Sequence, residues 1–149
     1  MSTERVDSVE FASAAWMEAI EAVLAEVMAG LDTGGRTWTV SEEFTEPPAH
    51  LLRAGTSTIA WHFRVTDGRV EVGDGLADDG DLVTVIDYAA TLPVARLVYG
   101  ATPEEQAKAA RLRAAAATTG TRKGDERAFP PELMGRLVEV HNRMAERTR

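Results

Sequence analysis

The chain has 149 residues, of which 44% are apolar, 27% are charged and none is cysteine. This length and balance fit one compact domain spanning residues 1–149, and they exclude disordered and collagen-like chains. The lack of cysteine excludes thiol catalysis, cysteine zinc sites and disulfides. The net charge of −8 argues against nucleic acid as a partner, because phosphate binding needs a basic surface.

The charge is divided unevenly along the chain. Residues 1–90 carry 17 acids and 5 bases, whereas residues 91–149 carry 7 acids and 11 bases. The later bases either balance the earlier acids across the surface or form a basic face for transient contact with an anionic membrane. The bases of such a face are Arg111, Arg113, Arg122, Lys123 and Arg127. No apolar run approaches the ~20 residues of a membrane span and residues 1–10 lack a signal peptide's apolar stretch, so we expect a cytoplasmic protein.

The first predicted element is an amphipathic helix that ends near Gly30. Ser13 or Asp7 is its predicted N-cap. Its apolar stripe has helical spacing and consists of Trp16, Ile20, Val23, Val27 and Leu31.

The period then changes to two, which is typical of β-strands. Residues 36–45, 58–66 and 69–72 alternate, and Asp67-Gly68 supplies the two residues that a tight hairpin turn needs. Residues 82–87 contain a β-branched run at 83–86 and are apolar enough for an internal strand. We therefore expect three or four strands, mostly joined as antiparallel neighbours.

Helices follow the strands. The pattern turns helical at Tyr88, and Pro93 is expected in the first turn of a helix that runs to Tyr99. Another helix starts at the cap Thr102, and the last begins at residues 129–132. Because the strands are grouped without βαβ alternation, we predict an α+β fold with a single antiparallel sheet and helices packed on one face.

Motifs for catalysis, nucleotides and metals are absent from the sequence. There is no G-x-S-x-G, Walker or dinucleotide glycine pattern. The histidines His50, His62 and His141 lack the H-E-x-x-H spacing of a zinc site. The acidic loop of residues 74–81 lacks the ligand spacing of an EF-hand and is expected to be a solvated turn. We therefore expect no enzyme activity, no cofactor and no metal.

Glu42 is the acid that fits its surroundings least, because it shares the alternating face of Trp38, Val40 and Phe44. One interpretation is that a strand edge or a bulge turns it outward. The other is that it lies in an apolar cavity, as a general acid or base or as a polar anchor for a ligand head group. Asp87 has a simpler interpretation as a helix cap.

The aromatic and methionine side chains fall on predicted inward faces. They form either a packed core or the walls of a cavity for an apolar ligand of variable shape. The set comprises Trp16, Met28, Trp38, Phe44, Trp61, Phe63, Met134 and Met144.

A set of segments, read in order, carries a family resemblance. They are Phe11-Ala-Ser-Ala-Ala-Trp16, Ile59-Ala-Trp-His-Phe-Arg-Val65, Asp67-Gly-Arg-Val-Glu-Val-Gly73, Asp81-Leu-Val-Thr-Val-Ile-Asp-Tyr88 and Gly120-Thr-Arg-Lys-Gly-Asp125. Over about residues 10–149 the chain resembles the sterol carrier protein 2 (SCP-2 sterol transfer) family, particularly its small stand-alone bacterial members. The resemblance implies an antiparallel sheet of about five strands with helices over one face. It also implies an apolar tunnel between them for fatty acyl chains, sterols or other lipids, without cofactor or chemistry.

The resemblance further implies which residues form the wall of that tunnel. They are Trp16, Ile20, Trp61, Phe63, Leu133, Met134 and Leu137. Residues 118–123 depart from the family pattern, since they contain no large apolar residue where an apolar strand is usual. That strand is therefore expected to be short, exposed or absent.

Three functions follow as hypotheses. The leading one is a non-catalytic carrier of an apolar ligand, with Glu42 added to the ligand-binding set. The second is a small α+β enzyme of the cyclase or isomerase type, with Glu42 or Asp87 as general base and His62 nearby. The third is a partner-binding domain with a degenerate tunnel.

Overall fold

The computed structural model describes residues 8–149, so the alternative cap Asp7 lies outside the described residues. The helices are α1 (Ala14–Met28), α2 (Tyr88–Ala95), α3 (Pro103–Ala117) and α4 (Pro131–Ala145). The strands are β1 (Trp38–Thr45), β2 (Ile59–Thr66), β3 (Arg69–Asp74), β4 (Leu82–Asp87) and β5 (Thr121–Gly124). Short 3-10 turns cover Ala49–Leu51 and Glu126–Ala128.

Helix α1 begins at the predicted cap. The Trp16 backbone N–H donates a hydrogen bond to Ser13 Oγ (3.1 Å), which satisfies one of the free donors of the first turn. The predicted stripe is confirmed, because the buried residues of the helix are Trp16, Ala19, Ile20, Val23, Leu24, Val27 and Met28. This face of α1 contacts α4 and β3.

Among the described residues, five strands form one sheet in the order β3-β2-β1-β4-β5. The neighbours are antiparallel except for β1 and β4, which are parallel. The predicted α+β class, the internal position of β4 and the sheet of about five strands are confirmed. The expectation of an all-antiparallel sheet is wrong in this one pairing, because the chain leaves the edge strand β3 and crosses β2 and β1 before entering β4.

The acidic loop of residues 75–81 makes this crossing and covers the outer face of the sheet. The Ala77 backbone N–H donates a hydrogen bond to Oγ of the fully buried Ser41 (3.0 Å). The Thr39 backbone N–H donates one to Asp81 Oδ2 (2.8 Å). The expected solvated turn is present at Asp78 and Asp79, which are exposed, but the loop is also bonded to β1 at two points.

Helices α2 and α3 begin at their predicted caps, Asp87 and Thr102, but α2 is shorter than expected. Asp87 caps α2 by accepting a hydrogen bond from the Ala90 N–H (2.9 Å), which confirms the cap interpretation. Pro93 consequently lies inside α2 rather than in its first turn. Because its ring nitrogen carries no N–H for the helical ladder, α2 ends soon afterwards and short of Tyr99. Within the described chain, no helix is long and apolar enough to cross a membrane.

The bonding of the crossover loop to the outer face of the sheet leads to a prediction about stability. Replacing Asp81 by alanine leaves the buried Thr39 N–H without an acceptor, so we expect Asp81→Ala to lower the free energy of unfolding by about 1–3 kcal/mol. Asp79→Ala is the matched control: Asp79 pairs with Arg64 (3.1 Å) but is 73% exposed, and such a pair contributes about 0–1 kcal/mol. Urea unfolding measures both, and equal losses in the two variants would contradict the structural role of Asp81.

Candidate functional site: a cavity between sheet and helices

A cavity of about 450 Å³ lies between the inner face of the sheet and the helices. Buried apolar side chains line its inner part: Phe11, Trp16, Leu24, Phe44, Trp61, Phe63, Phe129 and Met144. Exposed side chains line its outer part, from α3, β5 and α4: Arg113, Ala117, Arg122 and Val138. The cavity is therefore apolar inside and charged where it opens.

Most of the predicted wall residues line this cavity. They are Trp16, Ile20, Glu42, Trp61, Phe63, Met134 and Leu137. Leu133 instead packs in the core, where it is 1% exposed. It precedes Met134 on α4 and points about 100° away from it around the helix, since one turn takes ~3.6 residues. Contact of any of these residues with a ligand stays a prediction.

The aromatic end of the cavity is held in place by ring contacts and by polar anchors. The rings of Phe11 and Trp16 lie edge to face at 5.2 Å between centroids, and those of Trp16 and Trp61 at 5.8 Å. Trp16 Nε1 donates a hydrogen bond to Thr148 Oγ1 (3.1 Å), and the Tyr88 hydroxyl donates one to the Phe11 carbonyl (2.8 Å). These bonds fix the large side chains around the space that they line.

One row of side chains across the inner face of the sheet contains the polar groups. Glu42 pairs with Trp61 on β2 and with Thr84 on β4, and Thr84 pairs with Arg122 on β5. Laterally paired residues point to the same side of a sheet, and all four line the cavity. We call these four residues the Glu42 row.

The rows on either side of the Glu42 row are apolar. One consists of Phe63, Val40 and Leu82, and the other of Ile59, Phe44 and Ile86. The pairing of β1 with both neighbours is continuous from Val40 to Phe44. The interpretation in which a bulge or an edge turns Glu42 outward is therefore wrong, and its carboxyl faces the cavity.

The carboxyl group of Glu42 accepts no hydrogen bond from residues 8–149, and burial raises its pKa to about 7. The positive charge of Arg122 opposes this shift in part. The side chain is half-buried, and the part of its surface that stays accessible faces the cavity. Near neutral pH the cavity thus contains a carboxyl group that is poised between its neutral and charged forms.

The opening carries two guanidinium groups that share one carboxylate. Glu126 Oε1 lies 2.6 Å from Arg122 and 3.8 Å from Arg113. Beside them the rings of Tyr99 and His141 stack at 3.8 Å between centroids. Burial lowers the pKa of His141 and raises the pKa of Tyr99. The sequence singled out Arg113 and Arg122 only as bases of a possible membrane-facing surface, and it did not place these five residues at a cavity, because they meet only in the folded chain.

Strand β5 positions Arg122 although it contains no apolar side chain. It is short and exposed, as expected for residues 118–123. A Cβ atom on Gly120 would collide with the Val85 carbonyl oxygen, and one on Gly124 with the Asp81 carbonyl oxygen. Glycine at both ends therefore allows the close approach of β5 to β4.

Neighbouring acids pair with three of the five bases of the predicted basic face. Besides Arg113 and Arg122, which share Glu126, Arg127 pairs with Asp125 (3.1 Å). Transient contact with an anionic membrane stays a prediction.

The residues of the enzyme hypothesis do not come together. Asp87 is used as the cap of α2. His62 pairs with Ser41, one position along β1 from Glu42 and so on the opposite face of the sheet, and its Nδ1 lies 2.8 Å from the Gly75 carbonyl oxygen. The part of the chain from residue 8 onward holds no cluster of three acidic or histidine side chains that could bind a metal ion.

Comparison with known proteins gives structural neighbours only. No family model and no curated protein matches the chain. A conserved protein from Thermus thermophilus, suggested to be a sterol carrier protein, is 17% identical, with 97% of this chain and 96% of that chain covered and a TM-score of 0.49. Sterol carrier protein 2 is 18% identical, with coverages of 91% and 100% and a TM-score of 0.49. A UbiJ-SCP2 ubiquinone synthesis protein is 12% identical, with both chains covered to 89% and a TM-score of 0.42. At these values, function has to be argued from this chain's own cavity.

The position of Glu42 predicts how stability depends on pH. Its pKa is about 7 in the folded protein, against 4.5 for an ordinary glutamate. Between these values the folded state keeps a proton that the unfolded chain has lost, so stability falls as pH rises through this window. The loss is complete above pH 7 and amounts to at most about 3 kcal/mol.

The variant Glu42→Gln has no ionisable group at position 42, so its free energy of unfolding does not fall with pH for this reason. We expect it to match the wild type near pH 4.5 and to exceed its free energy of unfolding by up to about 3 kcal/mol at pH 8. Urea unfolding at both pH values measures the difference. Glu43→Gln, on the opposite face of β1, is the control and should keep the wild-type fall with pH. A Glu42→Gln difference that does not grow between the two pH values would contradict the buried carboxyl.

Proposed function

We propose that the protein binds an apolar ligand, such as a fatty acyl chain, a sterol or a similar lipid, in the cavity and carries it without chemical change. The observation that carries the proposal is the space of about 450 Å³ between sheet and helices, with its lining of buried aromatic and aliphatic side chains. Binding sites for small molecules are typically concave and mostly apolar, with volumes of about 300–1,000 Å³.

The construction of the walls supports a site that exists before the ligand arrives. Ring contacts and the hydrogen bonds of Trp16 and Tyr88 hold the aromatic end open. A preformed cavity loses less free energy on binding than one that must be opened. The sequence resemblance to the SCP-2 family leads to the same class of ligand.

The distribution of reactive groups favours binding over catalysis. Proton transfer to or from a substrate needs an acid or base within hydrogen-bond reach, commonly with a second group that orients it. Glu42 accepts no such bond from the described part of the chain, and Asp87 and His62 are engaged elsewhere. A degenerate tunnel, required by the partner-binding hypothesis, is not favoured by the volume of the cavity.

Blocking the cavity tests the proposal. Ala95 of α2 is half-buried and lines the cavity, whereas Ala89 of the same helix is exposed and does not. We expect the wild type to bind Nile red, an uncharged polarity-sensitive dye, at micromolar concentration, and dodecanol to displace it. Ala95→Trp places an indole in the cavity and should weaken dye binding by at least about tenfold, roughly 1.4 kcal/mol.

Ala89→Trp should bind the dye as the wild type does. Circular dichroism confirms that both variants are folded. Absence of dye binding by the wild type, or equal binding by the two variants, would contradict binding in this cavity.

A further inference from the structure

We propose that the Glu42 row is a head-group subsite for an amphipathic ligand that ends in a single acidic group, and that Glu42 takes up one proton when this group binds. The inference rests on the proposed function, since the apolar chain of the ligand must occupy the inner part of the cavity.

The placement of polar groups indicates which end of the ligand lies at this row. On the inner face of the sheet, Glu42 and Thr84 stand between two apolar rows, and Arg122 stands at the exposed side. A ligand that has its chain against Trp61 and Phe63 thus has its polar end at Glu42, Thr84 and Arg122. Buried polar groups without partners are costly, and the head group supplies the partner that Glu42 lacks.

The charges around the cavity indicate the sign of the head group. Arg113 and Arg122 share the single carboxylate of Glu126. With Glu42 neutral, one positive charge is left over among these four side chains, and one acidic group on the ligand balances it. A cationic head group would instead meet two guanidinium groups.

Hydrogen bonding to the acidic head group requires a proton on Glu42. An anionic oxygen accepts hydrogen bonds from the Arg122 guanidinium and the Thr84 hydroxyl, but an ionised Glu42 beside it offers only acceptors. A proton from solvent on a Glu42 carboxyl oxygen turns this group into a donor to the same anion. No covalent bond of the ligand forms or breaks.

The neighbouring groups leave Glu42 as the group that titrates between pH 7 and pH 9. The charged and titratable groups that line the cavity with Glu42 are Arg122 of β5, Arg113 of α3, the ion-paired Glu126, Tyr99 after α2 and His141 of α4. The pKa of His141 is lowered from 6.5 and that of Tyr99 is raised from 10.0, in both cases chiefly by burial. Both side chains therefore stay neutral in this range.

Calorimetric titration with dodecanoic acid and dodecanol tests the proposal. Repeating each titration at pH 8 in buffers of different ionisation enthalpy counts the protons taken up. We expect close to one proton per dodecanoate and none per dodecanol. The dodecanoate affinity should fall by up to about tenfold between pH 8 and pH 9.

Variants test whether Glu42 takes up the proton and whether Arg122 binds the anionic head group. Glu42→Gln should bind dodecanoate without proton uptake and with an affinity that no longer depends on pH. Arg122→Gln should raise the Kd for dodecanoate by at least about tenfold. Lys123→Gln should leave it unchanged, since Lys123 pairs with Val83 on the other face of β5.

The outcomes separate the two proposals. Equal affinities for dodecanoate and dodecanol, or binding of dodecanoate without proton uptake, would overturn the head-group subsite and leave the carrier function standing. Uptake that persists in Glu42→Gln but disappears in His141→Gln would overturn the role of Glu42. If neither probe binds at micromolar concentration, both proposals fail.

Discussion

The hydrogen-bonded register of β1 between β2 and β4 determines what the cavity contains. Both pairings run without interruption past Glu42. Because side chains alternate along a strand, a slip of one residue would send Val40, Glu42 and Phe44 to the outer face. The outer-face bonds of Ser41 and Thr39 to Ala77 and Asp81 of the crossover loop oppose that slip. The carboxyl group is thus held in an apolar space by the structure on both sides of the sheet.

Holding Glu42 there works against stability. A charged carboxyl without partners is destabilised by desolvation, which is why its pKa rises. The rest of the domain compensates with a core of aromatic and aliphatic side chains that runs from α1 through the sheet to α4. A local violation of the apolar pattern that the fold tolerates is typical of a functional position. The cavity and this carboxyl are therefore the two features of the fold on which the proposed ligand site depends.

Much of the fold follows from local sequence signals. The stripe from Trp16 to Val27, the hairpin turn at Asp67 and the caps Ser13, Asp87 and Thr102 are all where local chemistry predicts them. These features depend on spacing and backbone preferences within a few residues. The parallel pairing of β1 with β4 is different, because it depends on where the chain travels between β3 and β4.

The candidate site is predictable only in part, for a related reason. The phase of Glu42 with Val40 and Phe44 marked it as unusual, but only the pairing of both edges of β1 excludes a bulge. The guanidinium groups of Arg113 and Arg122 meet because glycines let a polar strand approach β4 closely. Such contacts join distant parts of the chain and leave no local periodicity.

The central claim is that the space between sheet and helices is a binding site for an apolar ligand. Native mass spectrometry of the purified chain tests it most directly, before and after extraction with organic solvent and after addition of dodecanol. We expect a complex with one ligand per chain that extraction removes and dodecanol restores in the wild type but not in Ala95→Trp. A wild-type chain that shows only its own mass under all three conditions would contradict a ligand site in this space.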